Sequence, residues 1–218
     1  MKVLTVPSSG SQAGTTASHN RFGQYTRNRR TPTNPRTARQ GVVRAALSAA
    51  SAAWRAITDA QRDGWKSLGL MMTRTDSLGS TYTLQPNQAF VSVNAANNAA
   101  GNTSVSDAPA LVTPTALATV TLTLTAVAFS IAYTATPLPT GARLFVYASP
   151  QKSAGRSFAN DLRLIFVSAA AAASPANVLA AYTAKFGVPV SGNRIFLTLV
   201  VYQTGFLSGP FYISQVVA

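Results

Sequence analysis

Apolar and polar residues alternate through much of the second half of the chain. Threonines separate apolar residues at positions 120, 122 and 124, and the alternation resumes from Val127 through Tyr133 in a shifted phase. A period of two is typical of half-buried strands, and the phase shift indicates a turn or a bulge near Thr125. By the same criteria we predict further strands at 143–149, 162–168, 194–203 and 211–217. We also predict a short helix at 176–186.

About six or seven short strands within roughly a hundred residues are typical of a β-sandwich. We therefore predict that residues 111–218 form an all-β domain of the immunoglobulin or fibronectin type III kind. The chain has no cysteine, so the disulfide of antibody domains is excluded, which favours the fibronectin-like alternative.

Residues 35–72 carry helical spacing and predict a helix pair. Asn34 is the expected N-cap of the first helix, followed by Pro35 at its first position. Thr58 and Gln61 match a capping box at the start of the second helix, which we expect to end at Gly69. The predicted core of the pair comprises Val43, Leu47, Trp54, Ile57, Trp65 and Leu68. For the two tryptophans, exposed docking anchors are the alternative interpretation.

Two other segments lack a hydrophobic period. Residues 1–34 are rich in Ser, Thr, Gly, Asn and Arg, and they cannot bury enough apolar surface alone to offset their ordering entropy. We predict an extended basic arm there, held by a partner surface. Residues 73–110 are interpreted as a linker and loops, with one short strand near 81–84. The predicted fold class is therefore α+β.

Positive charge is concentrated at the start of the chain. The first 58 residues contain nine Lys and Arg and no acid, and the whole chain carries a net charge of +13. Arginine and aromatic side chains alternate there, and a guanidinium group binds carboxylates, phosphates and aromatic faces. The predicted partner-docking residues are Arg21, Phe22, Tyr25, Arg27, Arg29, Arg30, Arg36 and Arg39. An acidic protein surface and a phosphate backbone are both compatible with them, and a solvated basic tail is the third possibility.

The composition excludes most catalytic and metal-site chemistry. The chain has five Asp, no Glu, one His and no Cys, so thiol chemistry and cysteine-based zinc sites are ruled out. His19 has no acid near it in sequence, and Asp59 and Asp63 lie beside Arg62, as expected of paired charges on a solvated helix face. We therefore predict a protein that is not an enzyme, with no catalytic, cofactor-binding or metal-ligating residue. The uncharged stretch between Asp107 and Arg143 alternates with period two, which does not favour a membrane span.

Residues 20–40 and 52–65 carry two motifs, Pro-x-Asn-Pro-x-Thr at 32–37 and Trp-x-x-Ile-Thr-x-x-Gln-Arg-x-x-Trp at 54–65. Over about residues 10–70 the chain resembles a group of small structural-type proteins encoded by tailed bacteriophages and prophages. In that group the second motif has Leu where this chain has Ile57, and the C-terminal half is variable and β-rich.

The resemblance implies a virion-associated structural protein, found in the virion and in the host cytoplasm during assembly. We expect a capsid decoration or cement protein that docks by its basic arm and helix pair, in multiple copies, on other virion proteins, with the major capsid protein as the favoured partner. A neck or tail protein of the virion is one alternative. A nucleic-acid-binding or packaging protein using the arginine-rich arm is the other.

Overall fold

A computed structural model of the protein describes residues 8–31, 33–34, 37–134 and 136–218. The chain divides into two compact units, one of Met1–Val91 and Val105–Ala108 and the other of Ser92–Ser104 and Pro109–Ala218. Helices and antiparallel sheets both occur, so the prediction of an α+β fold is confirmed at that level. Within the described ranges, no helix is both long enough and apolar enough to span a membrane.

The first unit contains two small antiparallel sheets and a helix pair, and its boundary with the second unit falls within a third helix. In chain order the elements are β1 (Gly10–Gln12), β2 (Thr15–Asn20), β3 (Gly23–Asn28), α1 (Ala38–Ala56), α2 (Asp59–Met71), β4 (Thr73–Thr75), β5 (Thr81–Thr83) and α3 (Pro86–Ala99).

The predicted extended arm at 1–34 is wrong for residues 10–28, which fold back twice into a three-stranded sheet of order β1-β2-β3. The first hairpin turns at Ala13-Gly14, where Ala13 adopts a left-handed φ of 49°. The second turns at Arg21-Phe22 and is followed by Gly23 at φ 107°. A left-handed residue within or directly after a short turn is common in tight hairpins. Threonine-rich strands with tight turns can therefore pair without an apolar period.

Both helices of the pair begin at a threonine capping box. Thr58 with Gln61 caps α2, as predicted, but α2 continues past Gly69 to Met71. The predicted N-cap at Asn34 is wrong, because α1 begins after Thr37, whose hydroxyl accepts from the Gln40 backbone N–H while the Gln40 side chain accepts from the Thr37 N–H. This reciprocal pair satisfies two backbone donors at once.

The predicted helix-pair core is correct only at its C-terminal end. Ile57, Trp65 and Leu68 are buried, and Trp54 is half-buried with its ring centroid 5.5 Å from that of Phe90. The assignment of Val43 and Leu47 to the core is wrong, because both side chains are 54% exposed. The apolar stripe of α1 has no described element against it before Trp54.

The interpretation of 73–110 as a linker and loops is wrong for most of its length. The short strand at 81–83 is confirmed, and it pairs with β4. Residues 86–99, however, form α3, in which Ala89, Phe90 and Val93 are buried. The helix lacks a clear apolar period, because two of its asparagines lie on the buried face where apolar residues would be expected. It was therefore not predicted from the sequence.

The second unit is rich in antiparallel strands and contains one further helix. Its elements after α3 are β6 (Thr119–Leu124), β7 (Phe129–Thr134), β8 (Arg143–Ala148), β9 (Lys152–Ser153), β10 (Arg163–Val167), β11 (Ala176–Asn177), α4 (Leu179–Phe186), β12 (Asn193–Gln203), β13 (Phe206–Leu207) and β14 (Phe211–Val216).

The strands predicted in this half of the chain are confirmed, with differences of one or two residues at their ends. The phase shift near Thr125 is the turn of the β6–β7 hairpin, so the placement of Val127 in a strand is wrong, and its side chain is 84% exposed. One sheet has the order β11-β7-β6, and the other has the order β10-β8-β12, with β13, β14 and β9 also paired to β12. Apolar residues from both sheets and from α4 form one continuous core.

The outer face of the larger sheet is partly covered by the second half of α3. The Tyr202 hydroxyl donates to Asn97 Oδ1 at 2.7 Å and accepts from Asn102 Nδ2 at 2.9 Å. Gly205 lies against Val93 at a φ of 87°, where an added Cβ would collide with the valine side chain. These contacts leave the other end of the sheet's outer face uncovered by α3.

Candidate docking surface

The tip of the β2–β3 hairpin presents a cation stacked on an aromatic ring. Asn20 Oδ1 accepts from the Phe22 backbone N–H at 2.9 Å, which holds the turn. The Arg21 guanidinium carbon lies 4.6 Å from the centroid of the Phe22 ring, and that ring is 65% exposed. A large exposed aromatic ring with a guanidinium group over its face is a combination enriched at protein interfaces.

The strands behind the tip carry further predicted docking residues on one face of the sheet. Tyr25 pairs with Ser18 and Arg27 with Thr16, so the tyrosine and this arginine point to the same side. Tyr25 is half-buried, whereas the arginines of this segment are exposed, namely Arg21, Arg27, Arg29 and Arg30. Six of the eight predicted residues therefore lie in the β2–β3 hairpin or directly after it.

The structure does not describe the remaining two predicted docking residues in full. Arg36 lies outside the described residues, as does the side chain of Arg39. Further along α1, Arg44 Nη2 donates to Asn34 Oδ1 at 3.1 Å, which ties the helix to the segment before it.

The positive charge of this segment is not neutralised within the described part of the chain. The ion pairs found there join Arg62 to Asp59 at 2.7 Å and Lys152 to Asp161 at 2.6 Å, and neither involves an arginine of the first 58 residues. Asp59 thus pairs with Arg62 on the surface of α2, as the sequence predicted. The exposed arginines of the hairpin present an electrostatic field that favours an acidic partner.

The first unit also exposes an apolar element on α1, from residues that include two whose spacing had predicted a core position. Val42, Val43 and Leu47 of α1 are 54–59% exposed. Val43 and Leu47 are four residues apart and therefore lie on one face of the helix. Alanine fills eight of the sixteen other positions of α1, and a helix with so few large side chains has little to anchor it to its own unit. That composition could have indicated an exposed helix.

The motif at 54–65 has a structural role at nearly every position. The Trp65 indole N–H donates to the Ser106 carbonyl at 2.7 Å, and Gln61 Nε2 donates to Asp107 Oδ1 at 3.0 Å. Arg62 Nη2 donates to the Arg55 carbonyl at the end of α1. The motif therefore builds the α1–α2 corner and holds the segment at 105–108 against α2.

The described residues contain no cluster of three or more His, Asp or Glu side chains that could hold a metal ion. His19 is exposed on β2, opposite Gln24 of β3. Asp63 is exposed on α2. The arrangement of the described residues thus offers contact chemistry, with exposed guanidinium groups, an aromatic tip and an apolar helix stripe.

In comparison with known proteins, the chain matches no family model, no curated protein and no solved structure.

Proposed function

We propose that this chain is a structural protein of a tailed-bacteriophage particle, a capsid decoration or cement protein that docks through its first unit. The observation that carries this proposal is the exposed and unneutralised basic surface of the β2–β3 hairpin. Nine basic residues and no acid occur in the first 58 residues, so an acidic partner surface would complete the charge pattern. The proposal includes no catalytic role and no cofactor.

The apolar stripe of α1 favours a protein as that partner. Isolated helices gain most of their stability from packing an amphipathic face against something else. Val43 and Leu47 are both 54% exposed, so covering them would remove apolar surface from water on docking. Arginine and tyrosine, which both occur on the β2–β3 hairpin, are enriched in interface hot spots.

The sequence resemblance at about residues 10–70 supports the same assignment. It implies a virion-associated protein of a tailed phage, found in the particle and in the host cytoplasm during assembly. The major capsid protein is the favoured partner, and many copies per particle would bind with avidity greater than any single contact supplies. A neck or tail position is the close variant, since it would use the same docking chemistry.

A packaging protein that binds nucleic acid is the second candidate, because exposed arginines also suit phosphate groups. The two candidates differ in what they ask of α1. A phosphate backbone is charged and would gain nothing from contact with the apolar stripe, whereas a protein surface would bury the stripe. The stripe is therefore the element on which the two can be separated.

The strand order of the second unit supports the finer prediction that it is a fibronectin-III-like sandwich. The sheet of order β11-β7-β6 has three strands, and the sheet containing β10-β8-β12 adds β14 beside β12. If the two-residue strand β9 is left aside, the fourth strand in chain order is β10. It lies beside β8, whereas the immunoglobulin constant type keeps its fourth strand in the other sheet. The helix α4 in the connection before β12 is an addition to that scheme.

Co-sedimentation tests the docking function. The purified protein would be mixed with empty capsids of the encoding phage and, separately, with naked DNA, each at low and high salt. We expect binding to shells and little binding to DNA. Strong DNA binding that falls steeply with salt, without shell binding, would contradict the decoration assignment and favour packaging.

A double variant of α1 makes the test specific. Val43→Ala with Leu47→Ala removes the stripe and keeps helix propensity, because alanine is the best helix former. We expect weaker shell binding from this variant and unchanged DNA binding. Ser48→Ala, which changes a neighbouring position of the same helix, is the matched control and should bind shells normally. Equal shell binding by all three proteins would contradict the role given to the stripe.

A further inference from the structure

The end of the larger sheet that α3 leaves uncovered carries a groove in the second unit. Its volume is about 360 Å³. The outward side chains of β12 and β14 form the floor, and the segment 157–162 forms a wall. The residues that line it include three aromatic rings and three aliphatic hydroxyls, from Phe158, Phe196, Tyr212, Ser157, Thr198 and Ser214.

Strand register sets aromatic and hydroxyl groups alternately on the groove floor. Phe196 pairs with Ser214, and Thr198 pairs with Tyr212 two residues further along β12. All four side chains point to the same face of the sheet. The two rings therefore lie on one diagonal and the two hydroxyls on the other, with diagonal neighbours about 7–8 Å apart.

The exposure of these groups suits contact with a ligand. Tyr212 is 71% exposed and Phe158 is 57% exposed, although both are large aromatic side chains. Thr198 is only 9% exposed, and its Oγ1 is buried without a hydrogen-bond partner in the described part of the chain. Buried hydroxyl groups are normally hydrogen-bonded, so a hydroxyl of this kind under a groove floor points to a partner that the ligand supplies.

We infer that this groove binds a neutral oligosaccharide built of hexopyranose units. Sugar rings offer an apolar C–H face, which packs on an aromatic ring whose face carries partial negative charge, and hydroxyls at their edges, which pair with hydroxyl groups of the protein. None of the residues described as lining the groove carries a charge, which disfavours both acidic sugars and nucleic acid, since nucleic acid needs cationic contacts to its backbone. Arg156 lies outside this lining, with its guanidinium carbon 5.5 Å from the Phe158 ring centroid.

This inference goes beyond the docking function, because it concerns the second unit and a different class of ligand. It does not depend on the assignment of the first unit, and each can fail alone. Shell binding without sugar binding would leave docking intact, and sugar binding without shell binding would leave the groove assignment intact.

The test is a titration of the full chain with cello-, malto- and chito-oligosaccharides, followed by saturation-transfer NMR and calorimetry. We expect at least one of them to bind. Tyr212→Ala and Phe158→Ala should each weaken that binding by about tenfold or more, as expected when an aromatic anchor is removed. Tyr82→Ala is the matched control, because Tyr82 is a 48% exposed tyrosine of the first unit, and it should bind like the parent.

Thr198→Val gives a second readout that separates binding from folding. Valine has nearly the shape of threonine without its hydroxyl, so the unliganded fold should be as stable as the parent or more stable. Oligosaccharide affinity should nevertheless fall several-fold, because the buried hydroxyl has lost its role as ligand partner.

Three results would overturn the inference. The first is the absence of binding by all three oligosaccharides. The second is binding that none of the groove variants reduces. The third is binding of an oligothymidylate that depends on Tyr212 in place of sugar binding, which would make the groove a surface for stacked bases.

Discussion

Replacement of Trp65 by alanine is expected to destabilise the first unit by about 3–5 kcal/mol. The indole is fully buried, stacks edge-on against Phe90 at a centroid distance of 5.1 Å, and donates to the Ser106 carbonyl. Burying a tryptophan removes about 150–250 Å² from water, which corresponds to roughly 4–6 kcal/mol at about 25 cal/mol/Å². Alanine keeps part of that area, and the unfolded chain is not fully extended, so the expected loss is smaller.

Trp54 provides the internal comparison. It is partly buried, and its ring centroid lies 5.5 Å from that of Phe90, so Trp54→Ala should cost less than Trp65→Ala, about 2–3 kcal/mol. A third variant, Trp65→Phe, keeps a ring against Phe90 and leaves the Ser106 carbonyl without its donor. We expect its stability to lie between those of the parent and Trp65→Ala.

Urea denaturation followed by tryptophan fluorescence measures these differences selectively. The chain has only two tryptophans, and both lie in the first unit, so each single variant retains one reporter of that unit. Midpoint shifts at an unchanged denaturant slope give the free-energy differences. A Trp54→Ala variant that loses as much stability as Trp65→Ala would refute the placement of Trp54 at the edge of the core.

Three further predictions concern the second unit. Gly205→Ala should destabilise it by about 2 kcal/mol or more, because the residue is left-handed at φ 87° and a Cβ there would collide with Val93. A circular-dichroism melt of this strand-rich unit measures the loss. An unchanged melting temperature would contradict the predicted collision. The hydrogen bond from Lys152 lowers the pKa of Asp161. This carboxylate therefore stabilises the fold above its unfolded pKa, and that contribution is lost as pH falls through the folded pKa. Asp161→Asn should flatten the loss of stability below about pH 4, and acid-unfolding curves of parent and variant that run parallel would contradict a stabilising Lys152–Asp161 pair. Burial raises the pKa of Tyr182, so stability should fall as pH rises above the unfolded tyrosine value of about 10, and in alkaline unfolding Tyr182→Phe should lose part of that pH dependence.

Local rules were sufficient for several elements of this chain. The Thr58–Gln61 capping box involves residues three apart, and the alternation in β6 and β7 follows from side-chain period within each strand. Elements of this kind are encoded in neighbouring residues, so their positions could be predicted without knowledge of the partners. The concentration of arginine before residue 58 is likewise a property of the sequence alone.

Burial depended on which elements meet. The stripe at Val43 and Leu47 has the spacing of a core face, yet no described element covers it. In α3, Asn97 takes a core position because the Tyr202 hydroxyl, 105 residues away in sequence, donates to it. Residue type predicts the burial of a side chain only when the element that packs against it is known. For Asn97 that partner is far away in sequence, and for Val43 and Leu47 no described element supplies one.

The proposed docking surface could be predicted from the sequence in part, whereas the groove could not. Charge and residue type along the chain are sufficient to indicate the arginines of the β2–β3 hairpin as candidate docking residues. The groove could not be predicted, because Phe196 and Tyr212 lie on different strands and the wall that carries Phe158 comes from a third segment. Charge and the capping and alternation of single elements can be read from neighbouring residues. Which distant side chains share a surface depends on strand register and packing, because those contacts form between residues that are far apart along the chain.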